Sequence, residues 1–339
     1  MNESRRKILQ MLENGRLTAD EATDLIEAIG VKPTAPAVSA TASSGHRRTH
    51  SQLRVDKFNL GEWLKQLLGV VAKSSHVETF DWTHDPTGIQ QVAMESSNGA
   101  IEYTGDNPSQ FTVHAEKIVK APDLAVAEEF AQQVQIHVTP ENEGKLLRIY
   151  AEYPKPPRHV EVIVSFTVHG PQRLQVNGRS SNGHVRINDV QGDVQARSTN
   201  GEVRLQQVIG TIHATTTNGD VKGEALTLEQ ASEFASQNGA IRVTVDAGYA
   251  SITATTVNGA VHLTLPQSYA GQVDARTQNG RVRTDFQTKI TQRSQNWLVG
   301  SIGAGGDALL KLRSQNGNVT LALANAYLGE ARTKQLFYR

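Results

Sequence analysis

From residue 76 to 166 apolar and polar positions alternate, as in Phe111-Thr112-Val113-His114 and Val160-Glu161-Val162-Ile163-Val164, which is the period of half-buried strands. Pro122 to Gln133, carrying Leu124, Ala127, Glu128 and Phe130, breaks the alternation and reads as one inserted helix; Pro154, Pro156 and Pro157 then mark a loop. Upstream the period is helical. Ile8, Met11 and Leu12 share a face before the Asn14-Gly15 stop, and Thr18 with Glu21 forms a capping box ahead of Ala22, Leu25, Ile26 and Ile29, with Gly30 as the end. This predicts an αα-hairpin over 1–30. Two helices so short bury little alone, so the hairpin is expected to self-associate or to bind a protein partner, the alternative being a plain cap on the main domain. Residues 31–51, rich in Pro, Ala, Ser and Thr, have linker composition. Over 52–75, Leu60, Trp63, Leu64, Leu67, Leu68 and Val71 recur at helical spacing opposite Glu62, Lys65 and Gln66. That amphipathic helix packs on its own domain in the first reading; in the second, Trp63, Leu64, Leu67 and Leu68 face a membrane.

The region 171–325 is a repeat. Asn-Gly pairs stand at Asn182-Gly183, Asn200-Gly201, Asn218-Gly219, Asn238-Gly239, Asn258-Gly259, Asn279-Gly280 and Asn316-Gly317, with a degenerate Asn296-Trp297; the spacings are 18, 18, 20, 20, 21, 17 and 20. Two before each intact Asn comes a hydroxyl: Ser180, Ser198, Thr216, Ser236, Thr256, Thr277, Ser314. Three after it comes Val185, Val203, Val221, Ile241, Val261, Val282 or Val319. Column stacking demands such fixed offsets, whereas hairpins with Asn-Gly turns do not. The prediction is a mainly β protein, a β-solenoid (parallel β-helix) of about eight coils stacked at ~4.8 Å, with Asn-Gly supplying the positive φ of a tight turn. A propeller with blades of ~40 residues is the rival. Ser96-Ser97-Asn98-Gly99-Ala100-Ile101 has the same offsets, so 76–170 reads as the first coil or cap, and 326–339 as a C-terminal cap or tail.

Composition narrows the chemistry. Lys plus Arg equals Asp plus Glu, 34 each, and only 5% of residues are aromatic, so no nucleic acid is expected as a partner. With no cysteine there is no disulfide, thiolate site or thiol nucleophile. The eleven histidines show no metal-ligand spacing, no lysine partner or Gly-x-Ser-x-Gly elbow marks a nucleophile, and Gly300 to Gly306 lacks a phosphate-loop ending; no catalytic residue, cofactor or metal is expected. Neither a signal-peptide core nor a span of ~20 apolar residues is present, which makes the cytoplasm the default compartment, with peripheral membrane or surface association as the alternative.

The strings RSSNGHVRI, RSTNGEVRL, TTTNGDVKG, ASQNGAIRV, TTVNGAVHL, RTQNGRVRT and RSQNGNVTL resemble the bacterial putative-adhesin β-helix family over about residues 76–325. The N-terminal MNESRRKILQMLENGRLTADEATDLIEAIG is similar to the short bihelical, oligomerisation-type domain preceding such a β-domain in LiaX-like and YvlB-like proteins. The resemblance implies a bacterial cell-envelope stress setting and carries no catalytic residues. Asn296 and the Gly-rich segment depart from the pattern.

Four after each Asn stand Arg186, Arg204, Lys222, Arg242 and His262, then Arg283, before Thr320 ends the series. Stacked, they would form an outward basic ridge able to meet an anionic envelope polymer or membrane. The competing reading is a solvated face neutralised by Glu202, Asp220 and Asp193. A second outward series, Arg179, Arg197, Arg276 and Arg313, is interrupted by Thr215, Ala235 and Thr255. The function expected is a non-enzymatic binding or assembly scaffold, adhesin-like. Two alternatives stay open: a carbohydrate-active β-helix enzyme, for which Asp189, Asp193 and Asp220 are the first carboxylates to inspect, and a purely cytoplasmic oligomerising scaffold.

Overall fold

The computed structural model describes residues 74–324. The hairpin at 1–30, the linker at 31–51, Trp63, Leu64, Leu67 and Leu68, and the tail at 326–339 lie outside the described residues. Ser74 and Ser75, the last positions of the expected 52–75 helix, are already strand.

Alternation in sequence becomes alternation in burial. The first part comprises β1 (Ser74–His84), β2 (Gln91–Asn98), β3 (Ile101–Thr104), β4 (Phe111–Ala121), α1 (Leu124–Ala131), β5 (Gln135–Glu141), β6 (Leu146–Glu152) and β7 (Glu161–His169). The repeats then supply strand pairs: β8 (Gln175–Asn182) with β9 (Val185–Gln191), β10 (Val194–Asn200) with β11 (Val203–Gly210), β12 (Ile212–Asn218) with β13 (Val221–Leu228), β14 (Ser232–Asn238) with β15 (Ile241–Ala247), and β16 (Ile252–Asn258) with β17 (Val261–Leu265). Last come β18 (Gly271–Asn279), β19 (Val282–Thr284), β20 (Thr288–Arg293), β21 (Trp297–Ile302), β22 (Leu309–Asn316) and β23 (Val319–Leu323).

Within a pair the two strands never bond to each other. The first enters a 12-stranded sheet, here sheet B, and the second an 11-stranded sheet, sheet A. Each Asn-Gly is therefore a corner between sheets, as a solenoid requires and a hairpin series does not. Val185, Val203 and Val221 are in parallel register with Ile101 before them and Ile241 and Val261 after, all buried, so equivalent residues do stack. Opposite them, sheet B lines the interior with small residues such as Ala196, Ala214 and Ala254, widened by Phe234 in one coil. Where the second inward position fails at Gly223, Leu226 fills the gap: a Cβ on Gly223 would sit 2.6 Å from its Cδ1.

The expectation of a positive φ at Asn-Gly is wrong. The corner glycines from Gly183 to Gly317 lie outside the positive-φ set. They are glycine because consecutive corners touch: a Cβ on Gly201 would lie 2.2 Å from the carbonyl oxygen of Gly183, and one on Gly239 1.9 Å from that of Gly219. Positive φ occurs instead within β9, β11 and β13, on the non-glycine Asp189, Gln207 and Ala225, which are in equivalent places of three coils. Such conformations cost of order 1 kcal/mol or more each.

Hydroxyls and amides seal the Asn-Gly corner. Ser198, Thr216, Ser236 and Thr256 each donate from the side-chain hydroxyl to the glycine carbonyl of the preceding corner at 2.8–2.9 Å. Outside them the asparagines form a ladder, in which Nδ2 of Asn200, Asn218, Asn238 and Asn258 donates to Oδ1 of the Asn before it at 2.7–2.8 Å.

Beyond β16 and β17 the coils leave sequence order. Sheet B continues β16-β22-β18-β21-β20, and sheet A continues β17-β23-β19. The Asn316 coil thus lies between the Asn258 and Asn279 coils, and the ladder follows the stack: Asn316 donates to Asn258 at 2.7 Å and Asn279 to Asn316 at 2.8 Å. The degenerate Asn296 does not start a coil. It precedes β21, which runs antiparallel to β18 and, with β20, closes the edge of sheet B.

The other end of the stack is closed by the antiparallel pairs β1-β4, β4-β7 and β5-β6. Antiparallel strands of this kind hide a parallel edge from further coils. Helix α1 lies within the Pro122–Gln133 interruption; Asp123 caps it by accepting the N–H of Ala125, and Ala127, Phe130 and Ala131 are buried. The buried Lys117 donates to the carbonyl of Ala131 at 2.9 Å, pairs with Glu78 and lies over the Phe80 ring. That hydrogen bond from Lys117 holds the Glu78 carboxyl below the usual range.

Candidate functional site

The expected basic ridge is a row on sheet A, in the register order Glu102, Arg186, Arg204, Lys222, Arg242, His262, Thr320, Arg283. Its cations do not face solvent alone. Glu102 accepts from Arg186 at 2.5 Å and from His184 at 2.9 Å; Glu202 lies between Arg204, at 2.8 Å, and Lys222; Asp220 pairs with Arg242 at 2.7 Å. Glu202 and Asp220 are the neutralising carboxylates the sequence offered; Glu102, four after Asn98 in the earlier copy of the repeat, was not among them. His262 and Arg283 are exposed on either side of Thr320.

Partial burial pushes the Glu202 carboxyl up, but the hydrogen bonds from Lys222 and Arg204 outweigh it and hold the group below its ordinary range. Asp220 behaves alike, its burial overcome by the N–H of Ala240 and by Arg242. A carboxyl whose folded pKa is depressed contributes stability above its unfolded pKa and loses it as pH falls through the folded value. Urea midpoints are therefore expected to hold steady from neutral pH down to about pH 5 and to drop below about pH 4. Glu202→Gln flattens that drop; an unchanged acid slope in the variant contradicts the assignment.

Of the carboxylates named for a hydrolase, Asp220 is committed to Arg242 and to the N–H of Ala240 at 2.8 Å. Asp189 lies within β9 with φ 56°, its carboxyl pushed up by burial and then by the charge of Asp106. Asp193 lines a groove of about 710 Å³ with Gln90, Gln175, Gln191 and Arg173, whose Nε donates to Gln191 at 3.2 Å. Among the described residues no group of three or more His, Cys, Asp or Glu is placed to hold a metal ion, and no helix is long and apolar enough to cross a membrane.

Sheet B presents a different surface. Its outward row three before each Asn runs across eleven of the twelve strands, in the register order His137, Tyr150, Glu95, Arg179, Arg197, Thr215, Ala235, Thr255, Arg313, Arg276, Trp297. At ~4.8 Å per strand this row is roughly 50 Å long. The sequence contained the arginines of this row but not their order. Only the displaced Asn316 coil makes Arg313 and Arg276 neighbours and brings Trp297 into line, and the 21 and 17 spacings around Asn279 were the available signal. Arg179 and Arg197 are adjacent and exposed, and among the described residues neither forms an ion pair; Arg197 donates to the hydroxyl of Thr215 at 3.2 Å. Aromatic groups stand at both ends: His137 stacks on Tyr150 with Arg148 over that ring at 4.8 Å, and Trp297 is half-buried at the other end.

Comparison with known proteins agrees with the repeat. Residues 3–34 match the SHOCT-like domain model and residues 172–322 match the Toastrack DUF4097 model. No curated protein matches the chain. Among solved structures, the chain is similar to a "putative adhesin" from Bacteroides fragilis, at 10% identity and a TM-score of 0.35, over 73% of this chain and 97% of that one. It is also similar to a "putative adhesin" from Parabacteroides distasonis, at 13% identity and a TM-score of 0.32, over 73% and 97%, and to a "putative cell adhesion protein" from Clostridium sporogenes, at 10% and 0.29, over 74% and 100%. The corner glycines, hydroxyls and asparagines described above all fall within the span 172–322 that matches the Toastrack DUF4097 model.

Proposed function

We propose that this chain is a non-catalytic, adhesin-like scaffold that holds an acidic envelope polysaccharide along the outer face of sheet B. The observation that carries the reading is the contrast between neighbouring cations: on sheet A Arg186, Arg204, Lys222 and Arg242 are paired with Glu102, Glu202 and Asp220, whereas Arg179 and Arg197 on sheet B stand side by side without carboxylate partners among the described residues. Thr199, Thr215, Thr217, Thr253 and Thr255 add outward hydroxyls on β10, β12 and β16 of the same sheet. A stack tied by parallel ladders keeps such a row straight, so a polymer meets it without ordering the protein first. Exposed large apolar side chains, which a lipid surface would engage, are scattered; of them only Ile290 and Leu309 lie on strands of sheet B. The SHOCT-like segment over 3–34 fits a self-association module in this scheme, joining copies so that weak contacts to one polymer act together, in the envelope-stress setting that the resemblance implies.

The test is binding of the full chain to polygalacturonate, to a neutral glucan and to vesicles containing phosphatidylserine, each at two salt concentrations. Polygalacturonate is expected to bind best and to weaken with salt, and the double variant Arg179→Gln/Arg197→Gln to lose roughly tenfold or more. Arg186→Gln/Arg204→Gln is expected to change binding less than about threefold, because these side chains are already engaged. Equal losses from both pairs, or binding to the vesicles alone, would sink the reading.

A further inference from the structure

The end of sheet B where β21 joins β18 holds a cleft of about 700 Å³. Antiparallel register sets Trp297 directly opposite Arg276, and parallel register sets Arg276 beside Arg313, so an indole and two guanidinium groups line one outward face. Along β21 the residues that turn to the core are Leu298, Gly300 and Ile302, which leaves Trp297 on the outward side, half-buried. The cleft is fixed at its rim. Asn296 accepts the N–H of Thr277 through its carbonyl at 2.8 Å and Gln295 that of Val282 at 2.9 Å, so the segment that breaks the repeat is pinned across the Asn279 corner.

The two arginines do different work. Arg313 is three-quarters buried and engaged through both terminal nitrogens: it bonds the Asp274 carboxylate, the Asp274 carbonyl at 2.6 Å and the Leu312 carbonyl at 3.1 Å. Arg276 gives only Nε to Asp274, at 2.8 Å, and is 54% exposed; its two terminal nitrogens have no partner among the described residues. Two guanidinium groups over one carboxylate leave the cleft positive. Burial pushes Asp274 up, but Arg313 and Arg276 hold its carboxyl below the usual range, so the geometry persists wherever the protein is folded near neutrality.

We propose that this cleft binds an acidic pyranose, the sugar ring lying on the Trp297 indole, its anionic group on the free nitrogens of Arg276, and its hydroxyls on the Gln278 and Gln315 amides. The volume lies in the range of small-molecule sites, an aromatic plate matches the apolar face of a sugar, and an arginine fork matches a planar or tetrahedral oxyanion. A neutral sugar would leave the guanidinium unused, and a flat apolar ligand would strand the amides. The cleft lies on the face assigned above to an acidic polysaccharide and deepens that reading by naming the group recognised at one end.

The full chain is titrated calorimetrically with trigalacturonic acid, with galactose 6-sulfate and with neutral galactotriose. At least one acidic probe is expected to bind ten times or more tighter than galactotriose. Trp297→Ala and Arg276→Gln each weaken that binding about tenfold or more, Trp297→Phe retains most of it, and Arg179→Gln/Arg197→Gln leaves it unchanged because so short a ligand does not reach those residues. Trp297→Phe guards against a loss of folding in the alanine variant. The cleft is refuted if neither acidic probe binds, if galactotriose binds as well as they do, or if Arg276→Gln has no effect. Loss of polygalacturonate binding in Arg179→Gln/Arg197→Gln with trimer binding indifferent to Trp297 and Arg276 retires the cleft and keeps the polymer face; the reverse pattern does the opposite.

Discussion

Gly239→Ala is expected to destabilise the protein by about 4 kcal/mol or more, at the upper end of what a single substitution does. The added methyl would lie 1.9 Å from the Gly219 carbonyl oxygen, 2.4 Å from its carbon and 3.0 Å from the Asp220 nitrogen, all of them backbone. No rotamer change relieves such contacts. The corner cannot back away either, because the Gly239 N–H is bonded to the Asn258 carbonyl at 2.9 Å on one side and the Ser236 hydroxyl to the Gly219 carbonyl at 2.9 Å on the other. Gly305→Ala is the control: it has a φ of +84° but nothing within 4 Å of the new Cβ, so only the cost of an unsuitable backbone conformation, roughly 1 kcal/mol, applies. Urea unfolding of the three proteins separates the two causes. If Gly239→Ala and Gly305→Ala fall by the same small amount, crowding at the Asn-Gly corner is not what fixes glycine there.

The same corner shows what a sequence discloses and what it withholds. Fixed offsets of a hydroxyl, an asparagine, a glycine and a valine point to stacked copies, which a series of independent hairpins would not need, and the strands of the repeat are legible on that ground. The reason for glycine was misjudged, since Asn-Gly in an isolated strand pair implies positive φ, and only the presence of a neighbouring coil turns the requirement into one of space. Leu226 is a similar case: Gly223 looks like a failed core position until the register shift in β13 brings Leu226 into its place. The ridge on sheet A was readable as a row of cations with Glu202 and Asp220 as neutralising carboxylates, but the pair of Arg186 with Glu102, 84 residues apart in the chain, was not. On sheet B the adjacency of Arg179 with Arg197 was readable from consecutive repeats, and that of Arg313 with Arg276 was not. The 21 and 17 spacings around Asn279 and the missing glycine after Asn296 mark the segment as irregular, but neither states that one coil is inserted out of turn.

That inserted coil leads to the second large effect. In a solenoid built in sequence order, removing the last repeat exposes one interface and leaves the rest intact. Here a chain ending at residue 308 loses β22 and β23, which contact a coil on each side. Leu310, Leu312, Val319 and Leu321 are all at most 1% exposed, and their removal withdraws about 6 to 12 kcal/mol of side-chain burial. The strands β18 and β19 then have no parallel partner, since β22 and β23 are the only parallel neighbours they pair with. The expected result is collapse of the whole end of the stack. Amide hydrogens over 271–302 exchange without protection, those of β16 and β17 weaken, and those of β8 to β13 stay protected. Trp297 would move with them, so binding of acidic sugars at that end is lost while Arg179 and Arg197 still act. Protection retained over 271–279 in the shortened chain would mean that β18 stacks directly on β16, and that the last coil is an addition rather than the keystone of this end.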